Sequence, residues 1–223
     1  MIWLLADFII LFPTRLSRFF GYLFGRTLPC MRIRPKRVPA WVAWLFDAAL
    51  LFFDIWGVAE LFELFMRVFS THTRPLKPAE VALAKVYFGN KINWNRVRVN
   101  EKSWLVPKKR HNLAFVTFNI INSKQPLEPD HFIHEMTHVF QYEKFGAAYI
   151  SRSLLAQKTT AGYNYGGLTA LKSAEQLYQF NLEQQADIMA DTYRLHLGRY
   201  PRWADLNLQS QQALERLSQQ VLG

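Results

Sequence analysis

The sequence predicts an α+β protein, mostly helical with a small sheet, preceded by an apolar N-terminal helical region. Three observations carry that expectation. Helical periodicity bounded by proline and glycine recurs after residue 77. Two runs rich in β-branched and aromatic residues lie between those helices. The first 69 residues are dominated by long apolar, aromatic stretches. The chain has 223 residues, half of them hydrophobic and a fifth charged, which fits one domain plus an appendage and excludes a disordered chain.

The first element is Met1 to Phe12, apolar except for Asp7 and too short to span a bilayer. No cation precedes it and no small-residue cleavage site follows, so no cleavable signal peptide is expected. Trp41 to Phe69 is longer but is interrupted by Asp47, Asp54, Glu60, Glu63 and Arg67, and the apolar and acidic contributions to insertion nearly cancel. On a straight helical wheel Asp47 and Asp54 share one face, with Glu60, Glu63 and Arg67 on the opposite side and Gly57 between the two pieces. Two amphipathic helices are expected, lying in a membrane interface, forming a re-entrant hairpin or packing as core. The chain carries a net +10, and residues 1 to 40 alone hold seven cations (Arg15, Arg18, Arg26, Arg32, Arg34, Lys36, Arg37) against one anion. Cations between apolar stretches suit anionic headgroups on the cytoplasmic face, so residues 1–69 are expected to associate with a membrane, and the protein to be cytoplasmic or cytoplasmic-membrane associated. Nucleic acid is not an expected partner, because that charge sits beside apolar segments and no binding motif accompanies it.

The polar stretch Ser70 to Lys77 marks the expected boundary into a second unit, residues 70–223. Pro78 to Phe88 reads as a helix stopped by Gly89, Arg96 to Val99 as a short strand, and Leu113 to Ile121, after the basic patch Lys108, Lys109 and Arg110, as the best strand of the chain. The single cysteine, Cys30, excludes an intramolecular disulfide and a cysteine-rich zinc module. Any metal must therefore be held by histidines and carboxylates.

Residues 134 to 138 read His-Glu-Met-Thr-His. Histidines at i and i+4 project from one helical face and can bind one Zn²⁺, while the intervening glutamate can take a proton from water. In a chain of this composition the pattern is expected by chance only about 0.007 times. The host helix is bounded by Pro129 and Asp130 at its start and Lys144 and Gly146 at its end, and the histidines face away from the apolar stripe of Phe132, Ile133, Met136, Val139 and Phe140. A hydrolytic zinc needs a third protein ligand and an open position. An extended pattern with a third histidine fails, since Gln141 and Lys144 stand at its glycine and histidine positions. Further on, Glu183 and Asp187 sit at i and i+4 on one face of a helix expected from about Leu171 to Leu197, stopped by Gly198.

On His-Glu-Met-Thr-His and the later Glu183-Gln184-Gln185-Ala186-Asp187, the sequence resembles the gluzincin metallopeptidases, and the Glu-x-x-Ala-Asp form looks like the CAAX-prenyl-protease type. From about residue 75 to 197, with Phe88-Gly89-Asn90, Val97-Arg98-Val99 and the run from His134 to Gln141, it looks closer to the metallopeptidase domain found near contractile-injection and type VI secretion (Vgr-related) genes. The resemblance implies a zincin-like fold and one Zn²⁺ per chain held by His134, His138 and Glu183. It also implies Glu135 as general base and Asp187 as the group that orients a ligand histidine. For Asp187 the alternative is an ion pair with Arg194 or Arg110. Asp191 and Arg194 are expected to form a supporting salt-bridge network. His131, at the helix start, could be a fourth ligand or a substrate contact, and Tyr163 or Tyr165, in a glycine-rich loop, could reach a developing oxyanion or serve packing. The strand before the active helix resembles the gluzincin edge strand that pairs with an extended substrate. The expected function is zinc-dependent hydrolysis of a peptide or protein substrate. The alternative is a catalytically silent metal-binding accessory or assembly factor of a membrane or secretion system.

Overall fold

The computed structural model describes residues 2–25, 38–109 and 113–223, with the backbone alone described for residues 2–5. Cys30, Arg110 and the cations from Arg26 to Arg37 lie outside the described residues. The described chain is α+β, mostly helical, with nine α-helices and one four-stranded sheet.

Helix α1 (Ile2–Leu23) packs along α2 (Ala40–Ile55), which bends by 68° into α3 (Val58–Phe69). The bend is at Gly57, in the left-handed region at φ +72°, where an added Cβ would lie 2.8 Å from the Phe8 ring. A side chain there would be strained by the backbone and would have to displace the Phe8 ring. The bend also corrects the straight-wheel expectation: Asp47, Asp54, Glu60 and Glu63, set on opposite faces by the wheel, are all buried on the inward side. Among the described residues no single helix is long and apolar enough to cross a membrane, whereas the bent pair α2 and α3 is so together.

The polar segment after α3 contains a strand the sequence did not announce, β1 (Thr73–Pro75). Arg74 ties it to Glu80 and Glu101, with Arg74 Nη2 2.7 Å from Glu80 Oε1. Helix α4 (Pro78–Phe88) has the expected bounds, with Pro78 in its first turn, Glu80 Oε2 accepting from the Lys77 N–H at 2.7 Å, and Gly89 at its end. The expected strand at 96–99 is shifted, as β2 (Arg98–Asn100). The expected single strand from Leu113 to Ile121 is instead a tight hairpin, β3 (Phe115–Thr117) and β4 (Ile120–Asn122), turning at Phe118 with φ +56°. That backbone is costly for a phenylalanine. The ring packs edge-on to Phe62 at 5.7 Å and Tyr142 at 5.5 Å, which offsets the strain. The sheet order is β1-β2-β4-β3, parallel only between β2 and β4, so β3 is an edge.

Helices α5 (Pro129–Phe145) and α8 (Leu182–His196) form the centre of the molecule, with α6 (Ala148–Gln157) and α9 (Leu208–Ser218) packed around them. Ile133, Met136, Ile188, Met189 and Leu214 are fully buried between them. The expected helix from 171 to 197 is interrupted: α7 (Gly167–Ser173) ends, a 3-10 turn (Leu177–Gln179) follows, and α8 starts afresh. Asn181 causes the restart, because its side chain accepts from the Gln184 N–H at 2.9 Å while Gln184 Oε1 accepts from the Asn181 N–H at 3.0 Å.

The first three helices do not stand apart from the rest. Asp47 of α2 receives Arg152 Nε at 2.8 Å, Ser151 and, at 2.9 Å, Tyr22. Asp54 accepts from Tyr142 at 3.1 Å and from the Ala147 N–H at 3.3 Å, just past the end of α5. Gly146 at that end has φ +68°, and a Cβ there would lie 2.9 Å from Asp54 Oδ2. Buried charge pairs therefore cross the boundary at residue 69.

Candidate metal centre

The centre lies where α5 crosses α8. His134 and His138 are one turn apart on α5, their rings edge-to-face at 5.0 Å, and Glu183 enters from the first turn of α8. Glu183 Oε2 is 3.5 Å from His134 Nε2 and 3.5 Å from His138 Nε2, and the three ligand atoms all lie within 4.8 Å of one another. A tetrahedral ion bound at about 2.1 Å has ligand–ligand edges of about 3.4 Å, which the two Glu183–imidazole distances match.

The supporting contacts leave the metal-facing atoms free. Glu183 is 1 % exposed, and its Oε1 accepts from Ser153 and, at 3.0 Å, from Gln157 Nε2, both on α6. Its Oε2 has no hydrogen-bond partner, an orphaned buried oxygen aimed between two imidazoles. His134 Nδ1 is 2.8 Å from Asp187 Oδ1, and a carboxylate can only accept, so Nδ1 carries a proton and Nε2 is the nitrogen left to face a metal once it is deprotonated. His138 Nδ1 is likewise 2.8 Å from Gln141 Oε1, whose orientation is set because Gln141 Nε2 donates to the Leu182 carbonyl at 3.0 Å. Asp187 is buried and also accepts from the Trp203 indole N–H. Of the two ion pairs considered for it, the one with Arg194 does not form, since Arg194 binds Asp130 and, at 2.6 Å, Asp191, the network expected for those two residues, and Arg110 lies outside the described residues.

The electrostatics of the site follow from burial and from three carboxylates set beside two imidazoles. Burial alone would lower the His134 pKa, but the hydrogen bond to Asp187 and the neighbouring Glu183 carboxylate raise it to about 10. Burial favours a proton on Glu183, yet the two imidazoles hold its carboxyl well below the usual range. Glu135 is 6 % exposed, and its burial outweighs the neighbouring imidazoles and raises its carboxyl above the ordinary value. Its Oε2 has no hydrogen-bond partner.

Two adjoining clefts of about 410 and 310 Å³ open on the centre and share His134, Glu135, Tyr163, Leu113 and Ala114. The larger is bordered by Phe115 to Thr117, the edge strand β3, on one side and by Ile150, Ser153, Leu154 and Gln157 of α6 on the other. Tyr163 has its ring 5.9 Å from His134, and burial together with the Glu183 and Glu135 charges raises its hydroxyl pKa, keeping it a neutral donor. Tyr165 takes the packing alternative: it is 2 % exposed and donates to Asp191 Oδ2 at 2.7 Å. His131 is exposed and lines the smaller cleft, outside the three-atom ligand group, so the fourth-ligand expectation is corrected and a contact to substrate is what its position permits.

Gln141, Ser153, Gln157 and Trp203 were not singled out by sequence reasoning. Gln141 had a usable signal, three residues after a ligand histidine on the same helix. The other three lie on α6 or after α8, away from the helix of the two histidines, and had none. Comparison with protein-family models, with curated proteins and with solved structures gives no match for the chain.

Proposed function

We propose that the chain is a zinc-dependent peptidase of the gluzincin type. One observation carries the reading: three convergent ligand atoms, with an unpartnered carboxylate oxygen of Glu135 beside them, face a cleft bordered by the edge strand β3. Structural zinc sites are closed by four protein ligands, whereas hydrolytic ones keep a position open. Two imidazoles and one carboxylate are a donor set suited to zinc, and His134, His138 and Glu183 would hold it. When bound, zinc supplies Lewis acidity, lowering the pKa of water and polarising a carbonyl oxygen.

The chain's own residues do the rest. Glu135, its affinity for a proton raised by burial, takes the proton of the attacking water and delivers it to the leaving amine. Asp187 and Gln141 hold the imidazoles in the tautomer that presents Nε2. Tyr163 offers a neutral hydroxyl to the carbonyl oxygen as it gains charge. The edge of β3 holds an extended peptide by main-chain hydrogen bonds, which confers little side-chain selectivity.

The test is zinc per chain on the full-length protein, measured by elemental mass spectrometry, together with hydrolysis of a fluorescent unfolded protein such as labelled casein. The expected result is near-stoichiometric zinc that falls about tenfold or more in Glu183→Ala. Turnover should vanish in Glu135→Gln with zinc retained. Absence of zinc from folded wild-type protein overturns the reading. Stoichiometric zinc with turnover identical in Glu135→Gln overturns the mechanism, and zinc without any turnover favours the accessory-factor alternative.

A further inference from the structure

The three N-terminal helices carry their charges on the wrong side for a protein in water. On α2 and α3 Asp47, Asp54, Glu60 and Glu63 are buried, the exposed charge is Arg67 in the last turn of α3, and every other exposed residue is apolar. From Ala6 to Gly25 on α1 no charged residue is exposed, and Arg15 is 2 % exposed. A surface helix of a soluble protein shows the reverse pattern. Isolated exposed apolar side chains are ordinary, but a continuous face over three helices is not.

The inward charges are paired as ionisable groups are inside a lipid-facing bundle. Arg15 forms a two-pronged pair with Glu60 at 2.6 and 3.0 Å, and Arg96 Nη2 joins Glu60 at 2.8 Å. Asp47 is surrounded by Arg152, Ser151 and Tyr22. Charged groups in hydrocarbon face the protein interior and pair with one another, because an unpaired charge toward lipid is costly. Outward, Trp41 and Trp56 stand 69 % and 65 % exposed at the two ends of α2, with Phe46 and Phe53 between them. Tryptophans at the ends of an apolar segment match the headgroup levels of a bilayer. In the sequence, residues 26 to 37, between α1 and α2, hold five further cations, a composition complementary to anionic headgroups.

We propose that the outward faces of α1, α2 and α3 are seated in an anionic lipid bilayer, so that the cleft works at a membrane surface. The coupling between the two is direct. Helix α6 is clamped to α2 through Arg152 and Ser151 on Asp47, while its Ile150, Ser153, Leu154 and Gln157 line the larger cleft. The inference does not depend on the peptidase reading, since it rests on residues outside the metal centre.

The experiment is flotation of the full chain with mixed phosphatidylcholine–phosphatidylglycerol vesicles, beside tryptophan quenching by brominated lipids. The expected result is that the wild type floats and stays with the vesicles at about 1 M salt, where surface charge attraction is screened. Its tryptophan emission falls when the lipids are brominated. The triple variant Phe46→Ser, Phe53→Ser, Leu61→Ser keeps every tryptophan and should lower partitioning by about a hundredfold while zinc content and helical circular dichroism are unchanged. Loss of zinc or helix in the variant leaves the quenching of wild-type tryptophans as the deciding measurement. Wild-type protein that stays unbound and unquenched overturns the proposal, as does a detergent-free dimer that excludes the vesicles, which would make a second copy the occupant of this face.

Discussion

Carboxylates are buried both at the α5–α8 crossing and beneath the first three helices, but the two regions treat them differently. Asp47, Asp54 and Glu60 each have protein donors close to their oxygens, and the charge is closed within the protein. Glu183 and Glu135 each keep an oxygen without a partner, and the imidazoles near them are held by their far nitrogens alone. A closed network fixes helices against one another at a net cost or small gain, whereas an open one keeps a concentrated negative potential for something else to satisfy. Outside, the contrast reverses. The α5–α8 region opens a cleft onto ionisable side chains, and the N-terminal helices present an apolar face.

Breaking the open network should affect chemistry most. Glu135→Gln is expected to lower turnover by about 10³-fold with no loss of bound zinc, read by steady-state hydrolysis and metal analysis of the same preparation. Breaking the closed network should affect folding instead. Asp47→Ala leaves the buried Arg152 guanidinium unpaired and is expected to cost about 3–5 kcal/mol in denaturant unfolding, with the metal-ligand residues intact.

The third test uses pH. With its pKa near 10, the metal-free His134 imidazole is protonated at neutral pH and must lose that proton to bind a metal. Zinc affinity should therefore rise by about tenfold per pH unit below that value, measured by competition with a chromophoric chelator. A histidine whose folded pKa is raised stabilises the fold fully below its ordinary value of 6.5 and loses that contribution as pH climbs through 10. The metal-free protein should accordingly melt at lower temperature at pH 9.5 than at pH 6.5, and saturating zinc should flatten the difference. A smaller effect sharpens the role of the orienting groups: Asp187→Asn should weaken zinc binding by about 10–100-fold without unfolding the protein. The smallest concerns the element that delivers Glu183. Asn181→Ala removes the cap of α8 and should cost about 1 kcal/mol in thermal or denaturant unfolding, with zinc stoichiometry preserved.

Much of the site was legible because a helix converts sequence spacing into geometry. His134, Glu135 and His138 lie within one and a half turns, and both bounds of α5 are marked by Pro129 and Gly146. Glu183 and Asp187 were legible for the same reason within α8, although the break at residues 174–181 was hidden, since Asn181 acts as a cap only once the chain turns there. The hairpin at Phe118 was not legible at all. A phenylalanine at positive φ runs against local preference, and only the packing of its ring on Phe62 and Tyr142 accounts for it.

By itself the sequence determined the α+β class, the helix that carries two histidines and a glutamate, and the later carboxylate pair, all consequences of short-range periodicity and capping. Tertiary structure alone decided that Ser153 and Gln157 of α6 hold one oxygen of Glu183, leaving the other free. It likewise decided that the bend at Gly57 turns four acidic residues of α2 and α3 inward and leaves aromatic side chains outside. The physical reason is shared. Burial and hydrogen-bond partnership depend on which elements pack together, a property of three dimensions that no spacing along one helix can encode.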